Sequence, residues 1–450
     1  MFDDEKSLSE KTTEAQDDSQ IKAFVIVPVD KRDLDQNITD SDSFIDNKLA
    51  EAIGLAQAIE LEVVYADSVK VSRIIPSTYM GKGQVENFNV LIEEHEPDIV
   101  IVDMNLGPGQ QRNLEKAWNS KVIDRTGLIL EIFGARAQTK EGKIQVELAA
   151  LEYQKSRLVR SWTHLERQKG GAGFMGGPGE RQIEIDRRLI TDRIAKLRKE
   201  LETVKRTREI QQESRKKLPF PIVSLVGYTN AGKSTLFNTL TNANVFAEDL
   251  LFATLDPTMR KVSLENGIDM ILSDTVGFIS DLPTHLIAAF RATLEHVQQA
   301  DVILHVRDIS NPAHEEQKAN VISIMKDLGI EYEEDKRIVE VLNKIDLLDA
   351  DERGDAQKTT NAEPNYVAVS AVKSEGLDEL LEIISRILTQ DHKTVNLDIP
   401  HADGKALAWL HEYTDIIDTN VNDNVTAVAV RISPADLGRF VDKFDIKPYQ

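Results

Sequence analysis

The sequence predicts an α/β protein in which a doubly wound, mostly parallel sheet is joined to an N-terminal α/β domain, a helical hairpin and a small C-terminal α+β domain. Three observations support this class. Apolar, β-branched runs alternate with helical patterns through residues 222–390, which is typical of βαβ units. Apolar residues recur every three or four positions through 140–217, as in paired helices. A glycine-rich loop over 227–234 separates a strand from a helix.

The length of 450 residues leaves room for roughly three domains of ordinary size. We divide the chain into a disordered acidic tail (1–20), an N-terminal α/β domain (21–138), a basic antiparallel helical hairpin with a Gly-rich tip (139–217), a nucleotide-binding domain (218–392) and a small α+β domain (393–450). The Gly81-Lys82-Gly83 segment could bind an anion, but a turn before a helix is the interpretation that we favour.

The amino-acid composition indicates the cellular compartment in which this chain is expected. It contains no cysteine, so its fold cannot depend on disulfides, which fits a reducing compartment. No apolar run approaches the roughly 18 residues that a membrane span needs. The N-terminus is acidic and polar, unlike a signal peptide. We therefore expect a cytoplasmic monomer without a membrane span.

Charge is distributed unevenly along the chain. The formal net charge of −22 argues, on average, against a nucleic-acid partner. Residues 140–217, however, hold 20 Lys and Arg against 12 Asp and Glu, a net of +8, so the rest carries −30. A basic segment on an acidic protein is the surface that an RNA partner would meet.

This basic segment is predicted to be two long helices that share an apolar seam. The seam residues are Ile144, Leu148, Leu151, Leu158, Trp162 and Leu165 on the first helix and Ile190, Ile194, Leu197, Leu201 and Val204 on the second. Cations cluster around the glycine-rich tip at Arg160, Arg167, Lys169, Arg181, Arg187 and Arg188. A solvated hairpin that only links domains is the alternative. The pair Phe174 and Met175, exposed among glycines, favours a partner.

The loop after the strand 222–226 has the pattern G-x-x-x-x-G-K-[ST] in a strand–loop–helix setting. Its glycines let backbone N–H groups turn toward phosphate oxygens, and the helix N-terminus adds positive charge. We expect Lys233 to reach the β- and γ-phosphates and Ser234 to ligate Mg²⁺. The predicted phosphate-binding residues are Gly227, Tyr228, Thr229, Asn230, Ala231, Gly232, Lys233, Ser234 and Thr235.

Two further segments are placed to sense the γ-phosphate. Asp274-Thr275-Val276-Gly277 follows a strand, where Asp274 can hold Mg²⁺ through water and the Gly277 N–H can meet the phosphate. The earlier loop supplies a threonine that could ligate Mg²⁺ and order the loop, with Thr254 favoured and Thr258 as the alternative. The nucleotide-binding residues predicted in that loop are Phe252, Ala253, Thr254, Leu255 and Asp256. Lys233, Thr254 and Gly277 are the predicted catalytic residues, and Ser234 and Thr254 the metal ligands.

A third set of residues selects guanine. The Asp346 carboxylate can accept hydrogen bonds from guanine N1–H and the exocyclic amine, a donor pair that adenine lacks. The Lys344 stem can cover the base, and backbone N–H groups of Ser370-Ala371 can meet O6. The predicted base-binding residues are Asn343, Lys344, Ile345, Asp346, Ser370, Ala371 and Val372.

Phe278 follows Gly277, where many GTPases place a glutamine that orients the attacking water. Phenylalanine cannot do this, so we expect slow hydrolysis in isolation and a faster rate with a partner that orders the switch segments. No arginine finger within the chain is assignable from the sequence.

Together these motifs resemble the HflX family of translational GTPases, within the Obg–HflX group. The likeness extends from about residue 22 to the C-terminus and includes the phosphate loop, residues 252–258 and the hydrophobic residue at 278. Gln111–Glu115 resembles a family signature, and Leu165–Gln168, Gly176–Glu180 and Asp186–Arg188 resemble the family's hairpin. Met175-Gly176 stands where some members carry an arginine before Gly-Pro-Gly.

The resemblance implies binding of GTP and GDP with Mg²⁺, and association with the large (50S) ribosomal subunit. It implies that the N-terminal domain and hairpin approach ribosomal RNA, and that the protein splits or rescues stalled ribosomes. Two alternatives stay open: a GTPase timer on a large-subunit precursor, and a nucleotide-dependent interaction protein whose partner is not RNA.

Overall fold

A computed structural model describes residues 20–31, 41–168, 178–215, 220–241, 258–264, 267–275, 277–279, 297–422 and 424–449. The predicted α/β class, with a doubly wound sheet and the additional N-terminal, hairpin and C-terminal parts, is confirmed. The domain boundaries drawn from the sequence stay predictions. Within the described ranges, no helix is both long and apolar enough to cross a membrane.

The first sheet is wholly parallel, in the order β2-β1-β3-β4, and helices connect its strands. Apolar clusters form on both faces, so the central strands are buried on both sides and read as continuous apolar runs. The elements are β1 (Lys22–Asp30), α1 (Ser41–Gln57), β2 (Glu62–Val71), α2 (Lys82–His95), β3 (Ile99–Val102), α3 (Pro108–Trp118), β4 (Lys121–Asp124) and α4 (Arg125–Arg136).

Two long helices follow, α5 (Lys140–Gln168) and α6 (Pro178–Arg215). They pack through Ile144 and Leu148 of α5 and Ile194 and Leu197 of α6, with further seam residues partly buried beside them. The predicted seam is therefore confirmed where these residues lie; Leu158 does not belong to the cluster, and the side chains of Trp162 and Leu165 lie outside the described residues. The predicted tip residues Lys169, Phe174 and Met175 lie outside the described residues.

The second sheet has the order β10-β9-β8-β5-β7-β6 and is parallel except for β6, which pairs antiparallel with β7. Strand β5 therefore lies inside the sheet, with neighbours on both sides. The elements are β5 (Ile222–Gly227), α7 (Lys233–Thr241), β6 (Thr258–Ser263), β7 (Asp269–Asp274), β8 (Val302–Asp308), α8 (His314–Asp327), β9 (Ile338–Asn343), α9 (Ala350–Ala362), β10 (Tyr366–Ala368) and α10 (Leu377–Thr389). The sequence pattern also predicts a helix near 286–298, and most of that range lies outside the described residues.

The C-terminal part is an antiparallel sheet of order β11-β13-β12 covered by two helices. Its elements are β11 (Lys393–Pro400), α11 (Gly404–Tyr413), β12 (Asp415–Val421), β13 (Val425–Ile432) and α12 (Pro434–Phe444). Its core includes Leu410, Val430 and Phe440.

From apolar runs in the sequence we expected strands near 21–29, 61–65, 98–104, 222–226, 268–273, 301–306, 337–342, 365–369 and 425–432, and the described strands β4, β6, β11 and β12 lie outside these ranges. Each lies at the edge of its sheet. An edge strand has a neighbour on one side only and can expose most of its side chains, as β6 and β12 do. Such exposed strands lack the apolar pattern by which the central strands are recognised, whereas β4 is largely buried but only four residues long.

Candidate nucleotide-binding site

The phosphate loop lies at the carboxyl end of β5, between β7 and β8, where doubly wound sheets bind their ligands. Two glycines are required there. Gly227 has a φ of 150°, and a Cβ on it would lie 2.2 Å from the Val306 carbonyl oxygen. Gly232 has a φ of 90°, and its Cβ would lie 2.2 Å from Asn343 Nδ2. Any side chain at either position would displace the neighbouring strand end.

Lys233 is the first residue of α7 and is almost fully buried. Its Nζ donates to the carbonyl of Tyr228 at 2.6 Å, which folds the side chain back across the phosphate loop. Burial lowers the pKa of Lys233 to about 8, although the nearby Asp274 carboxylate acts to raise it. A bound polyphosphate would raise this pKa again, because an opposite charge favours the charged ammonium.

Ser234 and Asp274 form the pair that suits a magnesium ion. Ser234 Oγ donates to Asp274 Oδ2 at 2.7 Å, and Asp274 is fully buried. A hydroxyl and a carboxylate beside a phosphate loop are typical Mg²⁺ partners, with the nucleotide supplying further oxygens. Among the described residues, no cluster of three acidic or histidine side chains offers a metal cage of its own. The donor set therefore fits a metal that arrives with its nucleotide.

Gly277 lies against the phosphate loop. A Cβ on it would be 2.9 Å from Thr229 Cγ2 and 3.1 Å from Lys233 Nζ. Two backbone bonds fix this contact: the Thr229 N–H donates to the Phe278 carbonyl at 2.7 Å, and the Phe278 N–H donates to the Gly227 carbonyl at 3.0 Å. Gly277, the predicted γ-phosphate sensor, and the phosphate loop thus pack as one unit.

The remaining predicted γ-phosphate residues differ in position. The Thr275 hydroxyl donates to the Leu225 carbonyl at 2.5 Å, so this side chain braces the sheet instead of facing the loop. Thr258 begins β6 opposite Asp274, and Thr254 lies in the preceding loop, so the choice between these two threonines stays a prediction. The other predictions here, Phe252, Ala253, Thr254, Leu255, Asp256 and Val276, lie outside the described residues.

Phe278 is buried and belongs to the apolar cluster that includes Val226, Ile303 and Val321. Its ring packs in the core beneath the site, so it cannot orient a water molecule there. The same observation explains why a phenylalanine is tolerated at this position: its burial stabilises the fold.

Asn343 connects the base side of the site to the phosphate side. Its Nδ2 donates to the Ala231 carbonyl at 2.9 Å, and its Oδ1 accepts from the Ala371 N–H at 3.1 Å. Asn343 is itself buried. We predicted this residue in the base motif, but its bracing of two loops was not foreseen.

Lys344 and Asp346 are the residues predicted to bind the base, and contacts in the structure hold both of them. Lys344 has a φ of 65°, and its Nζ pairs with Asp308 Oδ2 at 2.7 Å, so Asp308 at the end of β8 holds the lysine stem in place. Asp346 follows in a short 3₁₀ turn and accepts a hydrogen bond from Ser370 Oγ at 2.6 Å. The turn is closed on the core side by Ile345, which is buried.

The loop after β10 differs from expectation in one respect. The N–H groups of Ser370 and Ala371, which we assigned to guanine O6, already donate to the Glu375 carbonyl and to Asn343 Oδ1. A contact to O6 would therefore have to share or exchange one of these bonds. Val372, by contrast, is 78% exposed at the end of this loop.

Sequence reasoning missed two acidic partners of the site, Asp308 and Glu51. Asp308 ends a strand at the ligand-binding edge of the sheet, which is a signal that could have identified it. Glu51 accepts a hydrogen bond from the Tyr228 hydroxyl at 2.5 Å, although it lies in α1 of the first sheet's domain. No local pattern marks that contact.

A phosphate loop at a strand end, a serine–aspartate pair beside it and a carboxylate at the base position define a P-loop GTPase. A GTPase HflX from Magnetococcus marinus is 50% identical over 391 residues, which is 87% of this chain and 89% of that protein. The chain therefore belongs to the HflX family and hydrolyses GTP.

Four family models match in succession. They are described as "GTP-binding GTPase N-terminal" over residues 46–134, "GTP-binding GTPase Middle Region" over 136–215, "50S ribosome-binding GTPase" over 222–344 and "HflX C-terminal domain" over 355–443.

Two further similar proteins complete the comparison. A GTPase HflX from Escherichia coli is 44% identical over 331 residues, 73% of this chain and 76% of that protein. A crystal structure of a GTP-binding protein from Sulfolobus solfataricus in complex with GDP is 24% identical, with a TM-score of 0.44, and the match covers 82% of this chain and 99% of that one.

Proposed function

We propose that this GTPase associates with the large (50S) ribosomal subunit and splits or rescues stalled ribosomes in the cytoplasm. In this proposal GTP hydrolysis depends on Mg²⁺, is slow without the ribosome and releases the protein from the subunit. Bound Mg²⁺, held from the protein side by Ser234 and through water by Asp274, would neutralise charge that develops on the phosphates.

The observation that carries the proposal is the basic hairpin attached to the GTP site. Part of its charge is used internally, since Arg193 pairs with Glu147 and Arg198 with Glu152 across the two helices. Near the tip end of α6, Arg187 and Arg188 are exposed. Exposed guanidinium groups at the end of a long arm suit contacts to RNA phosphates.

The position of Phe278 supports a slow intrinsic rate. Because its ring is buried, the described part of the active site offers no side chain at that position to orient water. A ribosomal partner that orders the switch segments would supply what this residue does not.

Ribosome splitting is tested on intact empty ribosomes. The protein with GTP should convert them to separate subunits on a sucrose gradient, and the double variant Arg187→Gln/Arg188→Gln should convert fewer. Lys358→Gln on α9, an exposed cation far along the chain from the hairpin, is the control and should act like the unaltered protein. An unchanged ribosome peak with the unaltered protein would reject splitting and favour the assembly timer.

RNA contact is tested separately by salt. If the hairpin binds phosphates, the affinity for large subunits should fall with salt, with a log–log slope of roughly 0.7–0.9 per contact. The arginine double variant should have a shallower slope by about two contacts. An affinity that is flat across salt would instead indicate a partner other than RNA.

A further inference from the structure

Two side chains from the GTP site are inserted into the core of the first sheet's domain. Tyr228 of the phosphate loop and Ile279, just after the γ-phosphate sensor, are both buried in the apolar cluster that contains Leu128 and Ile132 of α4. The Tyr228 hydroxyl also donates to Glu51 Oε2 at 2.5 Å. The residues on either side of the Gly277 contact are therefore held by the N-terminal domain.

Glu51 is fixed in turn by a buried ionic cluster. Its Oε1 accepts a hydrogen bond from Arg125, whose other nitrogen, Nη1, pairs with Asp103 Oδ1 at 2.6 Å. Burial disfavours the charge on Arg125, but Asp103 and Glu51 outweigh it and raise the arginine pKa. A buried ion pair of this kind is costly to break, because it leaves a charge without compensation.

The residue before Arg125 holds the hairpin. Asp124 is fully buried; its Oδ2 pairs with Arg157 Nη2 of α5 at 2.6 Å, and its Oδ1 accepts from the Tyr153 hydroxyl. The same Oδ1 caps α4 by accepting from the Gly127 N–H at 2.9 Å. Two consecutive residues at the start of α4 thus make contacts on two sides. Arg125 binds Glu51, the partner of the phosphate-loop residue Tyr228, and Asp124 binds the hairpin helix α5.

The geometry around Gly277 indicates which nucleotide, GTP or GDP, this packing favours. A Cβ placed on Gly277 would lie 3.1 Å from Lys233 Nζ, so the lysine ammonium and Gly277 border one narrow space, and it is there that we expect a γ-phosphate to fit. If its entry moves the two segments apart, the hydrogen bond from the Thr229 N–H to the Phe278 carbonyl must stretch or break, which opposes the movement. Tyr228 and Ile279 are packed in the same apolar core, and this packing also opposes separation of the two segments. We therefore expect the packing to lower the affinity for GTP relative to GDP.

We infer that Glu51 is a positioning residue of the GTP site. A chain of contacts runs from Tyr228 through Glu51 to Arg125 and continues through Asp124 to Arg157. This chain couples binding of the γ-phosphate to the packing of helix α5 against the N-terminal domain. By linkage, a nucleotide that disturbs the packing of Tyr228 and Ile279 in the N-terminal core also weakens or strengthens the contact between Asp124 and Arg157. The reverse is also true: a change at that contact alters nucleotide affinity. This inference concerns the GTP site and the hairpin alone and does not rest on a ribosomal partner.

The coupling is measured without ribosomes, as the ratio of affinities for a non-hydrolysable GTP analogue and for GDP. Tyr228→Phe keeps the ring in the core and removes only the hydroxyl, and Glu51→Gln removes only the charge. Each should raise the preference for the GTP analogue by about fivefold, at the lower end of typical coupling energies. The double variant should raise it by less than the two single effects combined, because both changes act on the Tyr228–Glu51 contact, while Glu51→Gln also weakens the pair with Arg125.

The hairpin end of the path is tested by Arg157→Gln, which should shift the same ratio in the same direction. Arg193→Gln is the matched control, since it removes an ion pair between the hairpin helices that does not involve Asp124. Hydrogen exchange in residues 150–158 should differ between the GDP and GTP-analogue complexes, and this difference should vanish in Tyr228→Phe.

Two results would overturn the inference. If Tyr228→Phe and Glu51→Gln lower the melting temperature but leave the affinity ratio within twofold of the unaltered protein, the contact is only structural. If the ratio shifts in those variants but Arg157→Gln behaves like Arg193→Gln, and the exchange difference persists, the extension to the hairpin is wrong.

Discussion

Asn343 Nδ2 donates a hydrogen bond to the carbonyl oxygen of Ala231, 2.9 Å away, across 112 residues of sequence. The residue that begins the base motif therefore also shapes the phosphate loop. Its other amide atom accepts from the Ala371 N–H, so one buried side chain joins the three loops of the nucleotide site.

Replacing this brace should weaken binding of every guanine nucleotide. Asn343→Ala leaves the buried Ala371 N–H without its acceptor, at a cost of about 1–3 kcal/mol. We expect the affinities for GDP and GTP to fall together by about tenfold or more, measured by fluorescence titration. Asn365→Ala, which removes a bond to the Ile338 carbonyl and one from Arg386 near β10, is the control. A loss confined to GTP would contradict the bracing role.

Asp346→Asn should weaken the selection of guanine. The carboxylate can accept from two guanine N–H groups, and charge-assisted bonds contribute about 1.5–3 kcal/mol each. GTP affinity should therefore fall by at least about tenfold in competition binding. Ser370→Ala, which removes only the hydroxyl that orients Asp346, should have a smaller effect. If GTP affinity is unchanged in Asp346→Asn, its assigned role is incorrect.

The contact between Gly277 and the phosphate loop predicts an effect on turnover. A methyl group at Gly277 would lie 2.9–3.0 Å from Thr229, so Gly277→Ala must push the two segments apart. We expect kcat to fall by about tenfold while GDP still binds, because GDP lacks the γ-phosphate. Lys233→Ala should abolish turnover. Normal single-turnover rates in either variant would show that the site is misassigned.

A buried network in the nucleotide domain predicts acid sensitivity. Burial lowers the pKa of His305 to about 3, and its Nδ1 contacts the Tyr332 hydroxyl at 2.5 Å. Burial opposes the charge of Glu340, but hydrogen bonds from Lys318 and Arg307 outweigh it and lower the Glu340 pKa to about 2. Both groups bind protons more readily in the unfolded chain.

Stability should therefore fall as the pH drops, through the window from 6.5 to about 3 for His305 and from 4.5 to about 2 for Glu340. The slope is at most about 1.4 kcal/mol per pH unit for each group. Urea unfolding, read at the transition that GDP stabilises, measures it. His305→Gln should flatten the curve between pH 6.5 and 4.5, and an unaltered slope there would be inconsistent with a buried neutral imidazole.

The sequence predicted the parts of the site that are local in the chain. The positions of Lys233, Ser234 and Asp274 were predicted from the phosphate-loop motif and from the strands that precede these residues. A strand end fixes the position of the residues that come directly after it. The central strands were also predictable from local sequence, because a strand that is buried on both faces consists of a continuous run of apolar residues. The HflX resemblance and the GTPase activity were confirmed by the family comparison.

The contacts that hold these parts together could not be predicted. Tyr228 and Glu51 are 177 residues apart, and neither residue type at its position implies the other. The pairing of Lys344 with Asp308 likewise depends on the order of strands in the sheet, which spacing along the chain does not determine. The edge strand β6 was missed because its exposed side chains carry no apolar pattern.

The most direct test of the account is the GTP hydrolysis rate with and without purified large ribosomal subunits. We predict a rise of at least about tenfold, equivalent to about 1.4 kcal/mol of transition-state stabilisation, and a smaller rise for Arg187→Gln/Arg188→Gln. A rate that is the same with saturating subunits as without them would contradict it.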